Sequence, residues 1–216
     1  FKDEQLKFYV FLIFFFTFFI FFFELFFKNY DFFSAIRISL FYVVSIVSST
    51  GFDLQVNSLG MLPTIIFIFL MFVGGCSASS STGLKIVRAL VLIRYIPVSL
   101  KRIFHPRAII PVRYNGKALR DESVRLIFGF FFLFLLIFLA GAFSFSVMGN
   151  GFIVSLSLSA ASISNMGPIM GSIAEGFSYG DLNIVSKYIL MVLMLIGRLE
   201  IYAFFALFSK SVWGRS

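Results

Sequence analysis

Two short stretches carry the residues best suited to chemistry, Ser48-Ser49-Thr50-Gly51-Phe52 and Ser164-Asn165-Met166-Gly167-Pro168. Each follows an apolar segment too short to cross a bilayer, Phe32 to Val47 in the first case and Phe152 to Ile163 in the second. Both segments read as half-helices. A helix C-terminus carries roughly half a negative charge on its unpaired carbonyls, so a cation is favoured at either turn. Gly51 and Gly167 allow backbone conformations that a side chain hinders, and the turn carbonyls can then replace the water shell of an ion. Neither turn holds a carboxylate. That absence favours a weakly hydrated monovalent cation such as potassium over a divalent ion, which recruits Asp or Glu oxygens. Taken singly, each turn also fits an ordinary glycine turn between packed helices.

The elements that must position these turns recur in order. Leu6 to Phe27 is a near-continuous apolar run of the length a spanning helix needs, and the first half-helix and turn follow it. Leu59 to Val73 begins another helix, which breaks at Gly74-Gly75-Cys76-Ser77-Ala78-Ser79-Ser80-Ser81-Thr82-Gly83 before Leu84 to Ile96 resumes. After a basic segment come a span from Leu126 to Val147, the second half-helix and turn, and a span from Ile184 to Phe208. The pattern is helix, half-helix, glycine turn, helix, twice. An internal repeat around a membrane site predicts pseudo-symmetric halves about one pathway. Non-helical backbone at membrane depth is tolerated only where protein buries it or water reaches it, so both turns and the break should line a cavity.

Composition agrees. Apolar residues make up 60% of the chain, 34 of its 216 residues are Phe and only 13% are charged, a balance that points to lipid as the main solvent. The net charge of +8 does not mark a nucleic-acid surface, because the cations are not spread over a soluble face. Ten of them, from Lys85 to Arg125, fall in one stretch, and Lys2, Lys7, Lys210 and Arg215 lie at the ends. By the positive-inside rule those segments share the cytoplasmic side. Lys28, Arg37, Lys187, Asp31, Asp53, Glu175 and Asp181 then face outward. The single Cys76 excludes an internal disulfide and reads as a small buried residue. His105 has no second ligand at metal spacing and reads as loop structure. No paired aspartates, Ser-His arrangement, metal cluster or phosphate-binding loop argues for an enzyme, and no bound catalytic cofactor is expected.

The residues that carry a resemblance are Ser48 to Phe52, the Gly-Gly-Cys-Ser stretch from Gly74 leading to Gly83-Leu84-Lys85, His105-Pro106-Arg107, Asn165-Met166-Gly167-Pro168 and Gly197-Arg198-Leu199-Glu200. Together they resemble the Trk/Ktr/HKT superfamily of potassium transporters, most closely its bacterial TrkH-type subunits, over nearly the whole chain. The resemblance implies an all-α integral membrane fold with two tandem helix–pore loop–helix repeats, re-entrant half-helices and one broken transmembrane helix. These would be the third and fourth repeats of a four-repeat pseudo-tetrameric pore: residues 1–104, a basic cytoplasmic connection over 105–123, and residues 124–216. A chain that begins with Phe reads as a fragment lacking the N-terminal half with two further repeats.

The same resemblance implies a potassium filter formed by Ser49, Thr50 and Gly51 with Asn165, Met166 and Gly167. It also implies an intramembrane gate at Gly74, Gly75 and Gly83. Potassium is then the transported ion, the location a bacterial inner membrane, and the partners a second copy of the chain and a cytosolic nucleotide-binding TrkA-type ring. The family tends to have glycine at the positions of Ala78, Thr82 and Ile169; the first two replacements should stiffen the gate loop. A non-conducting membrane scaffold or truncated remnant is the competing class.

Arg198 stands near the middle of the last span, where a charge is costly and usually functional. At 1.5 Å per residue it lies roughly 21 Å below Ile184, and Gly74 roughly 22 Å below Leu59, so the two should share a depth. Arg198 is expected to donate to gate-loop carbonyls and to raise a barrier to cations; a structural salt bridge is the plainer role. Glu200, two residues on, faces elsewhere on a helix. Asp53 could concentrate cations at an outer mouth or be a solvated loop acid.

Overall fold

The computed structural model describes residues 3–52, 54, 60–76, 79, 81–105, 110–167, 179–199 and 201–208, without the side chains of Met61, Asp181, Leu207 and Phe208. These form helices α1 (Glu4–Phe27), α2 (Phe32–Val47), α3 (Met61–Val73), α4 (Ile86–Phe104), α5 (Asp121–Val147), α6 (Phe152–Ile163), α7 (Ile184–Arg198) and α8 (Ile201–Phe208). A 3-10 turn covers Tyr179–Asp181, and a two-stranded antiparallel hairpin joins β1 (Arg113–Tyr114) to β2 (Lys117–Ala118).

Of these helices, α1 and α5 are long and apolar enough to cross a membrane. Their 24 and 27 residues rise about 36 and 40 Å. Only 17% of the most apolar stretch of α1 is buried, and Phe11, Phe14, Phe18 and Phe22 are exposed, as a lipid-facing helix requires. The half-helices are the opposite. Ser155, Ser157, Ser159, Ala160, Ala161 and Ser162 are all buried on α6, which packs against α3, α5 and α7. Small residues permit that approach: a Cβ on Gly141 of α5 would sit 2.6 Å from the Ser159 hydroxyl, which donates to the Phe138 carbonyl at 2.7 Å. Its partner α2 packs against α1 and α3 with Ala35, Ser39, Tyr42 and Ile46 buried.

The polar ends of the elements differ from the sequence expectation. Leu126 was the expected start of the span that begins at Asp121, because hydropathy discards a charged first turn although Asp121 and Glu122 suit the positive end of a helix. Similarly, α1 begins at Glu4, with the Asp3 side chain capping the amide of Gln5 at 3.1 Å. Helix α4 runs to Phe104 rather than stopping at Ile96. It is amphipathic, burying Val91 against Val112 and Val124 while carrying Lys101 and Arg102 on its last turn. The expected single span from Ile184 to Phe208 is two helices, with Leu199 capping the first. Glu200 lies outside the described residues, as do Asp53, Ala78, Pro106, Arg107, Pro168 and Ile169.

The chain is otherwise all-helical, and this short hairpin is its one described element of sheet. Asn115 and Gly116 take φ of 48° and 76°, the left-handed pair that an Asn-Gly hairpin turn needs. It is tied to the start of α1. Asn115 donates its amide to the Glu4 carboxylate at 2.8 Å and its side-chain nitrogen to Asp3 at 2.9 Å, and Tyr114 donates to Asp3 at 3.2 Å. Arg94 reaches the same Glu4 carboxylate at 2.7 Å. The N-terminus, α4 and the basic connection therefore lie on one side, as the charge pattern predicts. The Asn115 side chain holds the Asp3 carboxyl below the usual carboxylate range, with help from the Gln5 amide.

Candidate functional site

Both half-helices end in the same backbone turn. Ser48 donates its amide to the Val44 carbonyl, Ser49 to Ile46 and Thr50 to Ser45; Ser164, Asn165 and Met166 donate to Ala160, Ser162 and Ala161. Every pair is shifted by 116 positions. The pattern is a Schellman cap whose left-handed residue is Ser49 (φ 57°) in one turn and Asn165 (φ 50°) in the other. Gly51 and Gly167 supply a second left-handed residue two positions on, at φ 69° and 75°. The sequence reading gave the turn to the glycines alone; the helix stop falls on Ser49 and Asn165.

The two turns meet through their backbones. A Cβ on Gly51 would land on the Met166 carbonyl oxygen, whereas one on Gly167 would meet none of the described residues within 4 Å. Gly51 and Met166 are buried and Thr50 is exposed. The Ser49 hydroxyl is buried without a hydrogen-bond partner among the described residues. Ser45 braces the first turn, donating its hydroxyl to the Phe52 carbonyl at 2.9 Å. The second turn is braced from two sides: the Asn165 side chain donates to the Met194 carbonyl of α7 at 3.0 Å, and the Tyr179 hydroxyl to the Gly167 carbonyl at 3.3 Å. Burial pushes the Tyr179 hydroxyl up to about 12, which keeps it a donor near neutral pH.

The break between α3 and α4 is a clasped loop. The Leu84 amide donates to the Phe72 carbonyl at 3.0 Å and the Ile86 amide to Gly75 at 3.1 Å, so its ends are held together. Gly74 and Gly83 take φ of 65° and 104°, and a Cβ on Gly74 would sit 2.5 Å from the Thr82 carbonyl. Glycine is therefore required there by both angle and space. Gly75 donates its amide to the Ser81 hydroxyl at 3.1 Å. Half-buried Cys76 accepts at its carbonyl from the Ser79 amide, and exposed His105 caps α4.

This loop is bonded to the second turn at one residue, Ser164. The Thr82 hydroxyl donates to the Ser164 carbonyl, and the Ser164 hydroxyl donates to the Met71 carbonyl of α3 at 2.8 Å. The sequence marked Thr82 only as a departure from glycine and Ser164 only as a turn residue; a contact across 82 positions has no local signal. Arg198 and the loop line one cavity of about 250 Å³ with a mixed polar and apolar wall that includes Ser81, Thr82, Lys85, Phe130, Phe134 and Arg198. Gly197 was quoted only within a motif, yet a Cβ there would strike the Ile163 carbonyl, so it lets α7 seat against the end of α6. Among the described residues no cluster of three or more His, Cys, Asp or Glu could hold a metal ion.

Known proteins share this fold and sequence. The TrkH family model, described as a cation transport protein, matches residues 4–214. The Trk system potassium uptake protein TrkH of Halomonas elongata is 32% identical over 86% of this chain and 38% of its own length. The Escherichia coli Trk system potassium uptake protein TrkG is 32% identical over 98% of the chain and 44% of its own. The crystal structure of the potassium transporter TrkH from Vibrio parahaemolyticus superposes with a TM-score of 0.88 at 30% identity, covering 99% of this chain and 46% of that one. The chain thus spans less than half the length of these relatives. Family model, sequence identity and overall fold agree, and the chain belongs to the TrkH family of membrane cation transport proteins.

Proposed function

We propose that the chain forms two pore-loop repeats, half of a four-repeat pathway for potassium uptake across a bacterial inner membrane. The observation that carries this reading is the meeting of two backbone turns of one geometry, Ser49-Thr50-Gly51 and Asn165-Met166-Gly167, at Gly51 and the Met166 carbonyl. In this reading the carbonyls of both turns and the unpartnered Ser49 hydroxyl contact a potassium ion that has shed its water. Exposed Thr50 then faces the ground that two further repeats of the N-terminal half would occupy.

The clasped loop from Gly74 to Gly83 is the gate. Lys85 and Arg198, both lining the cavity beneath it, raise an electrostatic barrier to a cation leaving the filter. Thr82 and Ser164 tie that gate to the second filter turn. The hairpin, with Arg113 and Lys117 in its strands, offers a basic surface to a cytosolic nucleotide-binding ring, and the whole protein works as a homodimer.

The test is rubidium-86 uptake by potassium-transport-deficient cells making the full-length protein. Uptake competed by potassium and abolished by Gly51→Asp and by Gly167→Asp is expected. Uptake unaltered by both replacements, in protein that reaches the membrane, rejects the filter assignment.

A further inference from the structure

Outside the proposed pathway, a wholly apolar groove of about 590 Å³ lies between α1, α3, α4 and α5. Its lining includes Phe15, Phe16, Phe72, Leu84, Leu92 and Phe131, and contributes no polar surface. That volume lies within the roughly 300–1,000 Å³ of small-molecule sites. The lip is open: Phe11, Phe15, Ile93 and Ile96 are 60%, 52%, 55% and 61% exposed. All four contributing helices approach from the half of the fold that also holds the N-terminus, Arg94 and the basic hairpin, so the groove opens toward the cytoplasmic leaflet.

The walls end in positive charge. Lys7 lies four residues before the lining Phe11 on α1, and Arg125 three residues before the lining Phe128 on α5, so each shares a helix face with the groove one turn nearer the cytoplasm. Both are exposed, and neither forms an ion pair among the described residues. An apolar slot in a membrane-family chain, with two exposed cations at its cytoplasmic rim, matches a molecule with an apolar tail and an anionic head.

We propose that this groove holds an acyl chain of an anionic phospholipid of the cytoplasmic leaflet, with Lys7 and Arg125 meeting its phosphate. The floor gives the site a consequence. Phe72 and Leu84 line it, and they are the pair whose backbone bond at 3.0 Å clasps the α3–α4 loop. A bound chain packs against the side of that clasp away from the cavity beneath the loop.

Native mass spectrometry of the full-length protein, with phosphatidylglycerol and phosphatidylcholine of identical chains, tests this without any transport readout. Phosphatidylglycerol should be retained preferentially. Lys7→Gln with Arg125→Gln, both at the surface, should weaken it by about 25-fold, roughly fivefold per cation, while leaving phosphatidylcholine unchanged. Ala89→Trp, placed on the groove wall, should expel both lipids. Equal retention of the two lipids by the unaltered protein, or undiminished phosphatidylglycerol in the charge variant, overturns the assignment. So does unaltered lipid retention by Ala89→Trp, which would mean that protein rather than lipid covers the groove.

Discussion

Gly51 and Met166 touch through backbone atoms: a methyl group on the Gly51 Cα would fall on the carbonyl oxygen of Met166. Gly167 has the same kind of φ with open space around it. The two glycines therefore separate steric from torsional demand. Gly51→Ala should abolish rubidium uptake by the full-length protein. Gly167→Ala should retain measurable uptake, its penalty being the roughly 1–2 kcal/mol of a left-handed residue with a Cβ. Equal loss from both would show that backbone angle, not the Met166 contact, limits the site.

Thr82 and Ser164 contribute two separate bonds that tie the second turn to the loop and to α3. Thr82→Val keeps the volume and removes one donor; Ser164→Ala removes the other and leaves the carbonyl that Thr82 uses. Each should destabilise the detergent-solubilised protein by about 1 kcal/mol, and the double variant by about twice that. Thr82→Gly should in addition raise the uptake rate by freeing the loop. Uptake that falls or stays constant in Thr82→Gly would remove the loop from control of flux.

Arg198 lines the cavity beneath the loop, next to Gly197. Arg198→Gln should raise uptake about fivefold, the factor that about 1 kcal/mol of unit-charge repulsion represents. Gly197→Ala acts differently, because its Cβ meets the Ile163 carbonyl and the Asn165 side chain. It should lower thermal stability by about 1–3 kcal/mol and uptake with it. Increased uptake in Gly197→Ala would contradict the packing role.

The Asp3 carboxyl is held below its ordinary 3.8 in the folded chain. A depressed carboxyl contributes stability that is present above the unfolded value and lost as pH falls through the folded one. The hairpin tie at Asp3 should therefore hold from neutral pH down to about 4 and fail below it. Melting curves of wild type and Asp3→Asn should differ at pH 7, and the difference should shrink as the pH falls below the ordinary carboxylate value. A difference that does not change with pH would assign the effect to something other than the charge.

The apolar segments were legible because lipid-exposed and half-buried helices announce themselves by length: Phe32–Val47 and Phe152–Ile163 are bounded in the structure where hydropathy placed them. The charged ends were not. Hydropathy cannot distinguish a basic loop from a basic amphipathic helix, so the expected helix ended at Ile96 although it runs to Phe104 with its apolar face packed on Val112 and Val124. Asn115-Gly116 was a local hairpin signal that the basic character of its surroundings obscured. At the site, glycine turns and the loop were visible as composition. The choice of Ser49 and Asn165 as left-handed caps was not, since both residues are common in other conformations. The contacts of Ser164 with Thr82 and Met71 needed the tertiary fold.

The half-helices differ in length by a whole turn, 16 residues against 12, although both end in the same cap. Val47 and Ile163 stand 116 positions apart, while Phe32 and Phe152 stand 120 apart, as do Phe27 and Val147. Four residues advance an α-helix by about one revolution plus 40°, so trimming them shortens α6 by about 6 Å and leaves its serine face nearly where it was. One or two residues would instead swing that face by about 100° or 200° into lipid or into α5. Length in such a segment can change only in whole turns, and each such change lowers the rim on one side of the molecule while the floor stays level.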